Sequence, residues 1–325
     1  MDEEKSAAKI VFLVFLLSFF CGCEHKTGLN TLTFSGMGTV LSIIYTGERN
    51  EALENAVKQD AEAVEADLSY YRESSFVSIL NREAHEKEVT VPEHVCRLIE
   101  KSLEYGKMSG GAFDITYKST GELWENNQNK IPDEKTIEEK QRFVGSDKLS
   151  VNCTENKIKF AGLGVKIDLG GIAKGYAIDR AGEIMKKYGV ENFIVNYGGD
   201  MLFCGNKEGK PWSIGIKNPD KPSEIMEKLE LGTSGCKGVA TSGDYERFFV
   251  IEGETFSHIM NPKTGKPVKN ARSVTVIGDD ATLTDAAATA VSVALHEKEA
   301  VEKIMEKFRV KIYTLSGEDS VLKKW

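Results

Sequence analysis

Apolar residues recur at the spacing of an amphipathic helix in several stretches of the chain, and each such stretch predicts a helix. In residues 48–68 an apolar residue stands at every third or fourth position from residue 53 onward. A second helix is predicted over residues 92–108, because Pro92 suits a helix start and Gly110 follows the end. Further helices are predicted at residues 131–143, where the helix is mostly polar, and at residues 171–188 and 284–295.

Shorter apolar runs predict strands. Residues 31–45 alternate and are interrupted by Gly36-Met37-Gly38-Thr39, whereas residues 248–251 lead into a Glu252-Gly253 turn and a returning strand, the pattern of a β-hairpin. Four more strands are predicted at residues 193–197, 212–216, 274–277 and 312–315. Helices and hairpins follow one another without a regular βαβ rhythm. The predicted class is therefore α+β, with mixed or antiparallel sheets and packed helices.

Composition narrows the range of partners. The chain has 325 residues, 41% of them hydrophobic, which is enough for one large core or two modest ones. The formal net charge is −8, so a nucleic acid held by a general basic field is excluded as a partner. The glycines gather in short clusters and show no repeat.

The first residues have the pattern of a bacterial export signal. Two lysines precede an apolar run at residues 10–20 that is too short to span a bilayer comfortably, which predicts a signal peptide at residues 1–22. Phe20-Cys-Gly-Cys23 resembles a lipobox, so Cys23 is expected to carry lipid at the start of a linker, residues 23–30. An uncleaved N-terminal anchor is the alternative. In both cases the domain formed by residues 31–325 is expected outside the cytoplasm and tethered to a membrane.

The other four cysteines show no metal-site spacing. Their separations match no zinc-ligand pattern. Export permits disulfides without requiring them, and scattered cysteines are more often small buried hydrophobic residues. Free buried thiols are therefore the favoured interpretation for Cys96, Cys153, Cys204 and Cys236.

A strand, a glycine turn and a helix follow one another around Asp168-Leu-Gly-Gly-Ile-Ala-Lys174. The free amides of the turn, the positive end of the helix and Lys174 together predict an anion site, with phosphate as its natural guest. The spacing fits neither the Rossmann nor the Walker pattern. The alternative is that Gly170 and Gly171 only allow close packing and that Lys174 is solvated.

The start of the last long helix carries a possible metal site. Asp285 and Thr289 are four residues apart, so their oxygens share one face of the helix. Together with a backbone carbonyl, a carboxylate and a hydroxyl suit Mg²⁺, which keeps several waters and completes its shell with substrate phosphate. The alternative is that Thr282 and Asp285 form a capping box.

Several reactive side chains surround the predicted hairpin at residues 248–258. A turn with Ser242 and Asp244 precedes it, and His258 lies on the returning strand. Strand pairing would bring Asp244 and His258 together, which predicts a site at the rim of a sheet. Two other carboxylates are ambiguous from sequence: Asp200 follows a Gly-Gly turn and is more often structural, and Asp114 is either a site residue or a cap.

Several short sequence blocks, taken in chain order, resemble those of the ApbE family of FAD:protein FMN transferases over about residues 31 to 320. The matching blocks are residues 36–39, 68–71 with 78–81, 111–116, 168–176, 196–200, 240–246, 257–259 and 285–289.

The resemblance implies a single ApbE-like catalytic domain, related to the T-fold, that depends on Mg²⁺. It implies that FMN from FAD is linked by a phosphoester to a threonine or serine of a partner protein while AMP leaves. The implied metal ligands are Asp285, Thr289 and a main-chain oxygen near Gly171. The residues implied to act in catalysis are His258 as the base, Asp244 and Lys174. The residues implied to contact FAD are Met37, Tyr71, Asp114, Asp168, Lys174, Ser242, Tyr245, Glu246 and His258.

The chain departs from the family pattern at two places. Asn261 stands where Asp usually precedes Pro, and Tyr117-Lys-Ser stands where Gly-Pro-Leu is more typical. Two alternatives to transfer remain open: a Mg²⁺-dependent FAD pyrophosphatase giving FMN and AMP, and a lipid-anchored protein that binds FAD without catalysis. No acceptor-type motif is present, so the chain is not expected to be its own target.

Overall fold

The computed structural model describes residues 28–125, 130–218, 221–232, 234–243, 248–269, 273–316 and 321–325. The predicted signal peptide and Cys23 lie outside these residues, as do Asp244, Tyr245 and Glu246. Within the described residues, no helix is long and apolar enough to cross a membrane.

The described residues form eight α-helices. They are α1 (Glu51–Leu68), α2 (Phe76–Glu83), α3 (Glu93–Met108), α4 (Lys118–Glu125), α5 (Glu134–Gln141), α6 (Ala173–Lys187), α7 (Ala281–Ala294) and α8 (Lys298–Phe308). In α1 the buried side chains are those of the predicted apolar series, Leu53, Val57, Ala61, Val64 and Leu68.

The strands fall into one large sheet and four small ones. They are β1 (Leu29–Gly36), β2 (Thr39–Thr46), β3 (Val89–Thr90), β4 (Leu149–Asn152), β5 (Lys157–Phe160), β6 (Phe193–Tyr197), β7 (Asp200–Cys204), β8 (Trp212–Asn218), β9 (Lys221–Leu231), β10 (Cys236–Ser242), β11 (Phe248–Ile251), β12 (Glu254–Ser257), β13 (Met260–Asn261), β14 (Lys266–Pro267), β15 (Ser273–Gly278), β16 (Lys311–Ser316) and β17 (Val321–Lys324).

The large sheet has eight strands in the order β1-β2-β6-β7-β10-β15-β16-β17, and every neighbouring pair is antiparallel. Helices α1, α6 and α7 lie against it, and α6 packs against both of the others. The α+β class predicted from the sequence is confirmed.

Both faces of the middle of this sheet are covered. Strand β15 is buried along its whole length, including its polar residues Ser273 and Thr275, so both of its faces are shielded from water. Leu41 and Val276 belong to the main core with the helices. Val239 belongs to a second core, completed by Trp212 and Leu231 of the β8–β9 ribbon. The helices α6 and α7 therefore lie in fixed positions on a sheet that is covered on both faces.

Strands β11 and β12 form the predicted hairpin, with Glu252 and Gly253 both at positive φ in its turn. The hairpin is a separate two-stranded ribbon and does not belong to the large sheet. Phe256 and Ile251 pack instead against Trp124 of α4. The apolar side chains of the hairpin are buried by α4 and α5, and the predicted meeting of Asp244 and His258 at one edge of the sheet stays a prediction, because Asp244 lies outside the described residues.

Two disulfides join the four cysteines, so the favoured interpretation as free thiols is wrong. Cys96 is bonded to Cys153 and Cys204 to Cys236. Cys204 and Cys236 are directly opposite one another on the neighbouring strands β7 and β10. Sequence separation could not reveal these pairs, because strand register brings Cys204 and Cys236 together, and the packing of α3 against β4 brings Cys96 and Cys153 together.

Candidate active site

The glycine turn leads directly into α6, as the sequence predicts. The Asp168 carboxylate accepts a hydrogen bond from the Gly170 amide at 2.7 Å, which shapes the turn. Helix α6 begins at Ala173, so Lys174 lies in its first turn. The amide of Gly175, also in that turn, donates to the Asp285 carboxylate of α7 at 2.9 Å. One donor at this helix start is therefore bonded to a carboxylate from the neighbouring helix.

The residues predicted to bind a metal come together between α6 and α7. Asp285 and Thr289 are one turn apart on α7. A Cβ atom at Gly171 would lie 3.1 Å from the Thr289 hydroxyl oxygen, so the glycine turn contacts Thr289. Helix α7 begins at Ala281 and is capped by Asp280, whose side chain accepts from the Leu283 amide. The alternative of a Thr282–Asp285 capping box is therefore wrong.

Asp285 and Asp200 are two buried carboxylates that share one ammonium. The Lys174 ammonium pairs with Asp200 and lies 3.7 Å from Asp285. The pKa of Asp285 is raised to about 6, chiefly by burial, with Lys174 acting to lower it and Asp200 acting to raise it. The three side chains together carry an excess negative charge in a buried place, which favours a further cation.

Asp200 is a site residue that the sequence reasoning missed. Its other oxygen accepts a hydrogen bond from the Thr241 amide at 3.0 Å, and its side chain is almost completely buried. A signal was present: an aspartate that begins a strand of mostly buried residues after a Gly-Gly turn lies on the inner face of that strand.

The donors around Asp285 fit a hard cation. Within the described ranges, no group of three or more His, Cys, Asp or Glu side chains has the geometry of a metal site. The candidate set is of another kind: one carboxylate, one hydroxyl and the main chain near Gly171. Mg²⁺ suits such a set, because it binds few protein oxygens and retains water and phosphate ligands.

Three residues implied to contact FAD lie on other segments. Met37 is in the β1–β2 turn at φ 46°, and its amide donates to Glu65 at 2.9 Å. Tyr71 is 79% exposed. Asp114 caps a 3-10 turn, since its carboxylate accepts from the Thr116 amide at 2.8 Å and from the Thr116 hydroxyl at 2.5 Å. Burial raises the pKa of Asp114, and the bonds from Thr116 lower it.

His258 follows directly after β12 and is half-buried. Ser242 is the last residue of β10 instead of part of a turn. The predicted partner of His258, Asp244, lies outside the described residues, so their proximity stays a prediction. A cavity of about 910 Å³ adjoins this hairpin and is lined in part by Glu254, Phe256 and Trp124, but none of the predicted metal ligands lines it.

Comparison with known proteins identifies relatives along nearly the whole chain. The model of the ApbE family matches residues 37–313. A Haemophilus influenzae protein named FAD:protein FMN transferase is 28% identical over 334 residues, which cover 98% of this chain and 94% of that protein. An Escherichia coli K12 protein of the same name is 28% identical over 342 residues, covering 99% and 96%.

Solved structures show the same fold. An ApbE protein of Thermotoga maritima superposes with a TM-score of 0.82 at 32% identity, covering 91% of this chain and 97% of that one. The apo form of the Pseudomonas stutzeri flavinyl transferase ApbE gives a TM-score of 0.80 at 26% identity, covering 91% and 94%.

Proposed function

The chain belongs to the ApbE family, and we propose that it transfers FMN from FAD to a serine or threonine hydroxyl of an acceptor protein. In this reaction the acceptor oxygen forms a bond to the phosphorus of FMN. The bond between that phosphorus and the oxygen bridging to AMP breaks, and AMP leaves. The assignment to a flavin transferase follows from the family and from relatives named FAD:protein FMN transferase. The phosphoester bond and the dependence on Mg²⁺ are proposed for this chain.

One observation supports the proposal most: five residues suited to a diphosphate converge from distant parts of the chain. The Gly170-Gly171 turn, Lys174, Asp285 and Thr289 lie together where α6 begins beside α7. Phosphoryl transfer requires chiefly positioning and neutralisation of charge. A lysine, the start of a helix and a cation-binding carboxylate are the elements that such chemistry needs.

Asp285, Thr289 and the main chain near Gly171 would hold Mg²⁺. When bound, the ion would neutralise charge on the nonbridging phosphate oxygens. Lys174 would bind the diphosphate and neutralise part of its charge, while Asp200 and Asp285 keep its ammonium at the site. The glycine turn leaves room for a phosphate to approach the backbone.

His258 would accept the proton of the acceptor hydroxyl, which is a poor nucleophile at neutral pH. Asp244 is proposed as its partner in catalysis. The flavin would lie in a cleft formed by the remaining candidate residues, which are Met37, Tyr71, Asp114, Asp168, Ser242, Tyr245 and Glu246.

A single assay tests the proposal. The protein is incubated with FAD, Mg²⁺ and an acceptor-domain protein, and the products are analysed by mass spectrometry. Transfer gives an acceptor heavier by FMN together with free AMP. Free FMN with an unmodified acceptor would indicate the pyrophosphatase, and FAD bound without release of AMP would indicate a protein that only binds FAD.

We also propose that the domain is an exported lipoprotein anchored through Cys23. The two disulfides support this, because such bonds persist mainly in oxidising compartments. Labelling with a radioactive fatty acid should mark the unaltered protein but not Cys23→Ala. Label retained by the variant would place the anchor elsewhere.

A further inference from the structure

Lys118 is a completely buried lysine that the proposed reaction does not use. It is the first residue of α4, and its ammonium contacts three groups. The Glu125 carboxylate lies at 2.5 Å, the Asp168 carboxylate at 3.5 Å and the centre of the Tyr70 ring at 3.8 Å. These contacts match the three donors of an ammonium group. A buried cation is costly unless it is paired in this way, so its position is closely fixed.

Asp168 links Lys118 to the glycine turn. One carboxylate oxygen of Asp168 faces the Lys118 ammonium, and the other accepts the Gly170 amide at 2.7 Å. The next residue, Gly171, contacts the Thr289 hydroxyl. A change in the orientation of Asp168 would therefore move the part of the backbone proposed to lie beside the metal and the diphosphate.

The charge of Lys118 also matters for a negatively charged ligand. The Asp168 side chain is 12% exposed, at the edge of the turn. Without a cation beside it, its negative charge would repel an approaching diphosphate. Lys118 offsets part of this charge from the protein side, since it also pairs with Glu125, and it leaves the outer face of the turn open, because Gly170 is exposed.

The Lys118 ammonium also contacts Tyr70, which precedes a residue proposed to contact FAD. Tyr70 lies under it and donates a hydrogen bond to Glu122 of α4 at 2.5 Å. The next residue is Tyr71, whose exposed ring contacts that of Tyr70 edge-on. Lys118 thus joins the turn before α2, helix α4 and the glycine turn, and two of these segments carry residues proposed to contact FAD.

We propose that Lys118 is a positioning residue for FAD: it holds Asp168, and through it the glycine turn, in the arrangement that binds the diphosphate. This inference rests on the proposed function.

The first test compares FAD binding by three variants, measured from flavin fluorescence with and without Mg²⁺. Lys118→Met should weaken FAD binding about tenfold or more, and Lys118→Arg should recover most of the loss. The matched control is Lys166→Met, since the Lys166 ammonium bonds the Asn81 carbonyl at 2.8 Å and does not contact Asp168. Thermal unfolding of each variant establishes that binding is measured on folded protein. FAD affinity in Lys118→Met equal to that of the unaltered protein would overturn the inference.

A double-mutant cycle with Asp168→Asn separates positioning from a general loss of stability. If Lys118 acts through the charge of Asp168, replacing Lys118 by Met in the Asp168→Asn background should weaken FAD binding much less than in the unaltered protein. If Lys118→Met alone does not fold, the double variant is compared with Asp168→Asn alone, and a loss of FAD affinity of about tenfold or more between those two would overturn the inference. Equal losses in both backgrounds would overturn the inference while leaving the transfer reaction intact. Failure of the unaltered protein to bind FAD would refute the proposed function and the inference together.

Discussion

At the scale of single residues, the candidate site is defined by charge that its surroundings do not fully balance. Asp200 and Asp285 are nearly inaccessible to water, yet they share the Lys174 ammonium. Buried carboxylates of this kind are costly to the fold and are typical of functional sites. The same carboxylate that lowers stability is the one suited to bind a cation.

Asp285→Ala should abolish Mg²⁺-dependent transfer while the protein remains folded, because the only carboxylate among the proposed ligands is lost. Initial rates at increasing Mg²⁺ concentration measure this. Asp279→Ala is the control: its side chain is 79% exposed and pairs with Lys237 just before the same helix. Full activity of Asp285→Ala would move the metal to another place.

Asp285 also predicts a pH dependence of stability in the metal-free protein. Its pKa is raised from 3.8 to about 6, so the folded protein holds this proton more tightly than the unfolded chain. The contribution of the group to stability is present at low pH and is lost as the pH rises through about 6. The free energy of unfolding of Asp285→Asn, relative to that of the unaltered protein, should therefore increase by on the order of 1–3 kcal/mol as the pH rises from 4 to 8. Urea unfolding in EDTA at several pH values measures the difference, and a constant difference would contradict the prediction.

His258→Ala should slow transfer by about 10²–10⁴-fold if His258 is the general base, with FAD binding retained. Single-turnover rates and flavin fluorescence measure the two effects separately. His296→Ala is the control, because that ring is exposed and lies 3.1 Å from the Lys269 carbonyl. Unchanged transfer by His258→Ala would remove this residue from the mechanism.

At the scale of elements, α6 and α7 hold each other through reciprocal carboxylates. Asp285 of α7 accepts the Gly175 amide of α6, and Asp179 of α6 accepts the Ala281 and Thr282 amides of α7 at 2.9 and 2.8 Å. The helices cross so closely that a Cβ at Gly175 would overlap the Ala281 carbonyl. The positions of Asp285 and Thr289 relative to the glycine turn depend on this contact.

Asp179→Asn should destabilise the protein by about 1–3 kcal/mol, because an amide offers one acceptor oxygen where two helix amides now donate. Asp60→Asn is the control on the neighbouring pair of helices α1 and α6, where Asp60 of α1 accepts a hydrogen bond from Arg180 of α6 at 2.9 Å. Asp60→Asn should lower the free energy of unfolding by about 1 kcal/mol or less, as for partly exposed ion pairs. Chemical unfolding measures both, and equal costs would contradict a special role for Asp179.

At the scale of the whole molecule, the two disulfides add covalent links between parts of the chain that are distant in sequence. The Cys96–Cys153 bond connects α3 to the segment after β4, across 57 residues of sequence. The Cys204–Cys236 bond connects two neighbouring strands of the large sheet near the β8–β9 ribbon, across 32 residues.

Replacing Cys96 and Cys153 by serine should lower the free energy of unfolding by about 4 kcal/mol, because the closed loop restricts the unfolded chain. Denaturant unfolding under oxidising conditions measures the loss. A reducing agent should lower the stability of the unaltered protein by more than that of the double variant, which retains only the second disulfide. Equal effects of the reducing agent would contradict a contribution from the Cys96–Cys153 bond.

Local pattern was sufficient for most of the elements that build the site. Helices α1, α3, α6 and α7 and strand β6 were predicted from periodicity and from proline and glycine at their ends, with small differences in their bounds. Strand β10 (Cys236–Ser242) was missed, because its apolar run is short and follows the glycines at positions 232 and 235, so only the pairing with β7 and β15 identifies it as a strand. Helix α8 was missed although its apolar spacing is regular.

The sequence by itself determined the α+β class, the glycine turn with Lys174 behind it, the pair Asp285 and Thr289 on one helix face, and the hairpin before His258. Each of these depends on residues close together in the chain, where backbone geometry fixes the spacing. Only the tertiary structure decided which side chains meet across long separations: Asp200 with Lys174, Lys118 with Asp168, and each cysteine with its partner. These contacts depend on strand register and on how helices and loops from distant parts of the chain pack together, and no local pattern of apolar and polar residues encodes them.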